Sequence, residues 1–417
     1  MKYVPLLIAS ILFNYGVGRY LESTRSIDRR TDKRAEYVLL LGIGTDLLLL
    51  GYFKYYNFFI DNLNSALHAQ ILNPSIILPL GISFFTFTQI AYLADAYRGE
   101  TKKYSLLSYS LFVTFFPHLI AGPLLQHKNV IPQFRRLRSY LFRHKNFAMG
   151  LTFFALGLFK KVIIADTVAQ SVSPVFDNAA SVQLIESWIG ALAYTLQIYF
   201  DFSGYCDMAI GLGLLLNIKL PINFNSPYQS LSIIDFWRRW HITLSTFLKD
   251  YLYIPLGGNR KGHAKRMRNL LITMMIGGLW HGAGWTFIIW GTLHGVYLVI
   301  NHTWKKFNIR LPKIIAWLLT FGSVMLAWIF FRAHSVAEAW HIVQALVGMH
   351  GSAWPQKFPT ELLLIVVLLI GVVYVPNTQQ VVKRISSSRW GAVLLIVLAV
   401  ISMLQMNKVS EFLYFQF

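Results

Sequence analysis

Long apolar stretches separated by short polar ones set the rhythm of this chain. They fall near Met1–Tyr20, Tyr37–Ile60, Ile71–Ala96, Leu106–Leu125, Phe147–Ala169, Ile185–Leu216, Asn269–Trp280, Trp285–Asn301, Pro312–Phe331, Glu361–Val375 and Gly391–Met406. A span needs about 20 apolar residues, so the pattern predicts an all-α, polytopic membrane protein with about ten or eleven membrane segments. Residues 1–417 read as one domain, without a fixed-period repeat or a low-complexity tract. Two stretches lack ordinary single-helix character. Leu106–Leu125 contains Pro117, His118, Gly122 and Pro123, with basic residues on both flanks; Ile185–Leu216 is long and carries Asp201, Asp207 and several glycines. Some segments are therefore expected to be short, broken or re-entrant, and such backbone must be buried in protein or line a wet cavity. Met1–Tyr20 reads as a retained span, because Arg25, Arg29, Arg30, Lys33 and Arg34 follow it in place of a small-residue cleavage site.

Loop charge adds an orientation. Arg25–Arg34, Lys128–Lys145, Arg260–Arg268, Lys305–Arg310 and Lys383–Arg389 are basic, whereas Asp61–Asn73, Ser173–Glu186 and Ser335–Pro359 carry few basic residues. The positive-inside rule places the first set in the cytoplasm and the second outside.

Composition excludes the soluble readings. Of 417 residues 55% are hydrophobic and 13% charged, with mean hydropathy +0.49. Soluble domains carry about 25% charged residues, so neither a soluble enzyme nor a disordered chain fits. The net charge of +20 raises nucleic-acid binding as a question. The basic residues lie between apolar runs, not in one stripe, which fits loops facing anionic membrane lipid and no nucleic-acid partner. The single cysteine, Cys206, excludes an intrachain disulfide, a thiolate metal cluster and a CxxC pair, and reads as inert packing.

Candidate chemistry concentrates between residues 201 and 295, where polar and ionisable groups sit in apolar surroundings. Such groups are costly in lipid and usually face an interior cavity. His281 lies in Gly277-Gly278-Leu279-Trp280-His281-Gly282-Ala283-Gly284-Trp285. Burial there disfavours the charged ring and keeps a neutral base available, which suits taking a proton from an alcohol. The competing reading is a histidine that bonds one helix to another. His241 follows Asp235-Phe236-Trp237-Arg238-Arg239-Trp240 and precedes Ile242-Thr243-Leu244-Ser245. It is open as a second base, an orienting donor or a core residue. Arg238 and Arg239 could hold a phosphate or carboxylate of a substrate; equally, they could meet lipid headgroups or pair with Asp235. His294 reads first as a structural hydrogen bonder. The three histidines lack the HExxH spacing of a zinc site, and no metal is expected.

Asp201 and Asp207 stand six residues apart and would not share one helix face. One is a candidate partner of Arg238 or Arg239, or a member of a proton relay. Ser203 lacks a GxSxG elbow. Asn217–Tyr228, with Pro221, Asn223, Asn225 and Pro227, and Phe247–Gly262 read as irregular backbone on either side of the Arg/His element. Gly257-Gly258-Asn259 is a turn and too short for a phosphate loop.

Several stretches together resemble the membrane-bound O-acyltransferase family, and within it the bacterial alginate O-acetyltransferase branch. They are Tyr199–Tyr205, Pro221–Tyr228, Phe236–Ser245, Asp250–Arg260, Trp280–Ala283, Phe116–Pro123, Trp328–Ala333 and the closing Glu411–Phe417. The resemblance implies a bundle of membrane helices around a tunnel. It implies that His281 matches the catalytic histidine and His241 the second functional one. It implies an acyl group taken from a cytoplasmic thioester, acetyl-CoA or another, and passed to a hydroxyl of an extracytoplasmic polysaccharide, with no tightly bound cofactor. Periplasmic acetylation or polymer-export proteins are the implied partners, and the bacterial inner membrane the implied location. Relatives in the branch usually carry a further apolar stretch before the segment matching Leu6–Leu21, almost at which this chain starts.

The expected mechanism is direct transfer with His281 as general base, His241 orienting donor or acceptor or supporting the developing charge, and Asp201, Asn225, Trp280, Arg238 and Arg239 as candidate binding residues. Asn225 and Arg239 are candidate oxyanion donors, and Ser245, four residues beyond His241, is a candidate for a covalent intermediate. Three other readings compete: a D-alanyl transferase of teichoic acid type, a proton-coupled transporter using Asp201, Asp207 and His281, and a noncatalytic scaffold of an export complex.

Overall fold

The computed structural model describes residues 3–24, 33–119, 122–353, 359–386 and 388–406. Arg25, Arg29, Arg30, Ile120, Ala121 and the closing Glu411–Phe417 lie outside the described residues. Among these residues every regular element is helical. Internal contacts divide the chain into two compact units, Met1–Arg143 with Gly213–Pro221 and His144–Leu212 with Ile222–Phe417.

The first unit holds α1 (Val4–Ser23), α2 (Lys33–Leu50), α3 (Tyr56–Leu67), α4 (Ile82–Arg98), α5 (Leu106–Val113) and α6 (His127–Phe134). Its surface is apolar where that of a soluble domain would be polar, and a few polar side chains lie inside its apolar core. Tyr37, Leu41 and Leu48 of α2 are exposed, whereas Asn14, Asp46 and Gln89 are buried. Inside, Asn14 Nδ2 donates to Asp46 Oδ1 (2.8 Å), Gln89 Nε2 to Ser10 Oγ (2.8 Å) and Tyr109 Oη to Gln89 Oε1 (3.3 Å). Apolar surface outside and polar groups bonded to one another inside fit lipid as the solvent. The stretch Leu106–Leu125 is broken, as expected. Its helix α5 spans about 12 Å at 1.5 Å per residue, too short to cross a bilayer. Ile71–Leu80 departs from expectation: it is not helical, and α4 begins only at Ile82. There Asn57 and Asn64 side chains hold the main chain of Ile76 and Ile71, which replaces helical pairing.

The second unit begins with α7 (His144–Phe159), which runs into a π-helical turn at Lys160–Ala165. Next comes α8 (Leu184–Leu215), a single helix of 32 residues. Its continuity corrects the expectation of an irregular segment, and two packing features explain it. First, Gly204 and Gly211 of α8 meet the backbone of α7 and do not interrupt the helix. A Cβ on Gly204 would lie 2.8 Å from the carbonyl oxygen of Gly157, and one on Gly211 would lie 2.6 Å from that of Gly150. Spaced two turns apart on both helices, the four residues form a seam of backbone contact, the small-residue packing typical of membrane helices. Second, the two aspartates of α8 are neutralised. Lys160 Nζ lies 2.8 Å from Asp207 Oδ2, and Lys161 Nζ lies 2.6 Å from Asp201 Oδ1 and 2.8 Å from Asp166 Oδ1. Consecutive lysines of the π-helical turn thus serve two carboxylates six residues apart on α8.

The remaining helices are α9 (Ile233–Arg239), α10 (Ile242–Leu248), α11 (His263–His281), α12 (Trp285–Trp304), α13 (Lys313–Arg332), α14 (Val336–Leu346), α15 (Pro359–Tyr374), α16 (Thr378–Ile385) and α17 (Arg389–Leu404). Four helical runs among the described residues are long and apolar enough to cross a membrane: Val4–Ser23, Lys33–Leu67, His144–Phe176 and Lys313–Arg332. A fifth exists if Glu361–Tyr374 and Thr378–Ile385, bent by 74°, form one broken span. The ten or eleven apolar stretches thus comprise a few plain spans and many interrupted or polar ones. Helix α11, for example, starts among Lys265, Arg266 and Arg268.

Candidate active site

Two local devices in the second unit bring His281 and His241 together. The first is the hairpin of α11 and α12. A Cβ on Gly278 would lie 2.3 Å from the carbonyl oxygen of Phe287, and one on Gly291 would lie 2.4 Å from that of Met274. The two backbones therefore touch, and His281 stands at the last residue of α11, before the extended Gly282. It is 9% exposed. Rings enclose it: Trp280 at 4.9 Å between centroids, Trp290 at 5.0 Å and Phe331 at 5.2 Å. Edge-to-face packing of this kind buries the imidazole against aromatic surfaces.

The second device is the α9–α10 junction. His241 separates the two helices and adopts a left-handed backbone, φ +42°. That region is uncommon for residues other than glycine and persists where surrounding structure imposes it. Here an extended segment lies across the junction. Asn225 N–H donates to Arg239 O (2.9 Å) and Ile242 N–H donates to Asn223 O (3.0 Å), one bond on each side of His241. The side chain of Asn223 adds three contacts through Oδ1: Thr243 N–H at 3.2 Å, Thr243 Oγ1 at 2.9 Å and His241 Nδ1 at 3.2 Å. Asn223 Nδ2 donates to Cys206 Sγ (3.2 Å), which gives the lone cysteine a packing role. His241 is fully buried, with its ring edge-on to Phe202 at 4.8 Å and 6.3 Å from the ring of His281.

The other candidates fall at varying distance from this pair. Trp280 is buried and lies 6.4 Å, ring to ring, from His241, in contact with both histidines. Arg239 Nε donates to Asp235 Oδ2 (2.9 Å), and its Nη1 donates to Asn225 O (3.4 Å). Arg238 is exposed. Asn225 is exposed as well and accepts at Oδ1 from Asn377 Nδ2 (2.9 Å), which ties the loop to the cap of α16. Asp201 and Asp207 pair with Lys161 and Lys160, so the expected partnership with Arg238 or Arg239 is replaced. Those lysines are reachable through the π-helical turn, whereas Arg239 already holds Asp235. Ser245 Oγ donates to Trp240 O (3.4 Å). His294 accepts from the indole N–H of Trp237 (3.2 Å), the structural bond expected of it. A cavity of about 280 Å³ is lined by Phe159, Lys160, Tyr199, Phe200, Val372 and Thr378 among others, and neither His241 nor His281 lines it.

Sequence reasoning passed over three features. Asn223 stands out in the sequence only as one residue of a polar break and of the stretch Pro221–Tyr228, with no role of its own. Lys160 and Lys161 interrupt an apolar run, and that position was the available signal. In the first unit Asp95, His127 and Tyr104 form a buried set, with His127 Nε2 2.9 Å from Asp95 Oδ2 and its Nδ1 3.0 Å from Tyr104 Oη.

Fold and site together define a membrane-embedded helical protein that keeps two imidazoles buried among aromatic rings. The family model of membrane-bound O-acyltransferases matches residues 33–337, and the chain belongs to that family. It is 48% identical over 380 residues to a peptidoglycan O-acetyltransferase of Helicobacter pylori, covering 84% of this chain and 71% of that one. It is 45% identical over 351 residues to a protein named probable alginate O-acetylase AlgI of Pseudomonas aeruginosa, covering 82% of this chain and 65% of that one. A teichoic acid D-alanyltransferase of Streptococcus thermophilus is 28% identical over 280 residues, covering 60% and 68%. The match thus spans about two thirds of the relatives' own lengths.

Proposed function

We propose that this protein is a polysaccharide O-acetyltransferase of the bacterial inner membrane. It takes an acetyl group from a cytoplasmic thioester, acetyl-CoA or another, and places it on a hydroxyl of an extracytoplasmic glycan. The observation that carries this reading is the pair of buried imidazoles, 6.3 Å apart, in an O-acyltransferase chain whose relatives bear the names of glycan acetylating enzymes. His281 acts as general base. The acceptor O–H bond breaks as the ester C–O bond forms; the C–S bond of the thioester breaks, and the proton passes through the imidazole to the departing thiolate. Position at the C-terminus of α11 favours the positive charge that the ring gains in transit. The ring enclosure excludes water, which limits hydrolysis of the thioester and strengthens polar contacts. Holding both reactants at one place supplies much of the rate. Periplasmic acetylation or export proteins are the proposed partners on the acceptor side.

Glycans of the alginate and peptidoglycan type are both candidate acceptors, each being named in a relative more than 40% identical. D-alanyl transfer is less favoured, since its named relative stands at 28%. Proton-coupled transport is less favoured too, because Asp201 and Asp207 are each held by a lysine. The test is mass spectrometry of the surface polysaccharide and the cell-wall glycan from cells carrying wild-type or His281→Ala protein. Membrane levels of the protein are followed in parallel. Loss of ester-linked acetyl with the protein still present is expected; unchanged acetyl content would reject the role of His281.

A further inference from the structure

We infer that Asn223 is a positioning residue that locks His241 in one tautomer and thereby holds an imidazole lone pair ready beside His281. The inference rests on the acyl-transfer reading and adds to it a role for a residue outside the histidine pair. The tautomer follows from one constraint. A backbone N–H can only donate, so the amide atom of Asn223 that faces Thr243 N–H is its oxygen. An amide oxygen can only accept, so the His241 Nδ1 that faces the same oxygen carries the proton. In the neutral ring Nε2 is then the acceptor. That atom is buried and has no hydrogen-bond partner among the described residues. A buried acceptor without a donor is costly and calls for a reason. Here the reason is a donor that arrives with substrate, a hydroxyl of the glycan next to the one that reacts. Its O–H donates to Nε2 and so aims the reacting hydroxyl at the acyl carbon, and His281 takes the proton of that reacting hydroxyl as the C–O bond forms.

Asn223 also fixes where the ring stands. Its main-chain oxygen takes the N–H of Ile242, and its side chain takes that of Thr243, two helix N-terminal donors that lack intrahelical partners. Clamping α10 from outside imposes the left-handed turn at His241. One residue thereby sets the backbone, the ring plane and the protonated nitrogen of the second histidine.

The experiment uses full-length protein in lipid, labelled with ¹⁵N-histidine. The His241 signals are identified by their loss in His241→Asn, since asparagine tolerates a left-handed backbone. Wild type is expected to show a protonated Nδ1 and an unprotonated Nε2 at His241. Asn223→Leu, which removes the acceptor at similar volume, is expected to lose that signature. It is also expected to lower kcat by at least about 30-fold, with KM for labelled acetyl-CoA changed less than about threefold. Asn223→Asp keeps an acceptor oxygen and is expected to retain the signature and to recover kcat to within about tenfold of wild type. A protonated Nε2 in wild type overturns the inference, and so does wild-type kcat in folded Asn223→Leu. If Asn223→Leu does not fold, the wild-type spectrum and the Asn223→Asp rate decide. Absence of acetyl transfer in wild type alongside the expected tautomer would instead count against the proposed reaction.

Discussion

His241 hangs on hydrogen bonds from an extended segment that crosses its backbone, whereas His281 stands at the tip of a helix hairpin and is enclosed by ring edges. The first arrangement is directional: a few named atoms determine which nitrogen carries the proton. At the second, contacts with Trp280, Trp290 and Phe331 surround the ring, and the glycines behind it let the hairpin close. Loss of a single acceptor should disturb His241, and a change in helix approach should disturb His281.

The strongest way to probe that contrast is at the reacting ring. His281→Ala is expected to lower acetyl transfer by at least about 100-fold, the usual contribution of a general base, while membrane levels hold. Mass spectrometry of ester-linked acetyl groups, with immunoblotting of membranes, reads both. Next in size is Lys161→Ala, which would strand Asp201 and Asp166 without their shared cation. Breaking a buried pair costs about 3–5 kcal/mol, so the variant should be poorly recovered from detergent, with little folded protein on size-exclusion chromatography. Recovery equal to wild type would show that the aspartates do not depend on it. Gly278→Ala sets a methyl against the carbonyl of Phe287. It should cost about 1–3 kcal/mol through overpacking, lower the melting midpoint and reduce turnover, yet leave the His241 tautomer intact in ¹⁵N spectra. A tautomer change in that variant would erase the distinction between the two devices. The smallest effects belong to Arg239→Ala and Ser245→Ala. The Arg239–Asp235 pair is about one-third exposed at both ends. Such pairs contribute at most about 1 kcal/mol, so unfolding should barely move. Ser245→Ala should keep acetyl transfer within about threefold by radiolabel assay, because its hydroxyl already serves Trp240 O; a full loss would favour a covalent acyl intermediate.

The helical membrane class was legible because apolar stretches near bilayer length dominate the chain. The neighbourhood of His281 was legible too, since glycines and tryptophans packed around one histidine announce close helices and a shaped pocket. Other features depended on partners far away in sequence. Glycines in Ile185–Leu216 suggest breaks when read alone, but become helix contacts once Gly157 and the backbone of Gly150 lie opposite. Asp201 and Asp207 carry no mark of which cation they take, and Lys160 and Lys161 precede them by some forty residues. An asparagine among prolines reads as a turn former, so the clamp from Asn223 to His241, 18 residues on, was hidden. The Asp95–His127 contact, 32 residues apart, was hidden for the same reason. Local pattern reports propensity and periodicity; pairing across the fold decides which polar residue serves which.

The seam between α7 and α8 carries an evolutionary consequence. At Gly157, Gly204 and Gly211 the nearest obstacle to a larger residue is a carbonyl oxygen of the opposite helix, and every residue type has that oxygen. No second-site change on the facing helix can make room by shrinking. In a saturation mutagenesis screen these positions should tolerate nothing but glycine, and suppressors, if they arise, should map to places where the helices can be tilted apart.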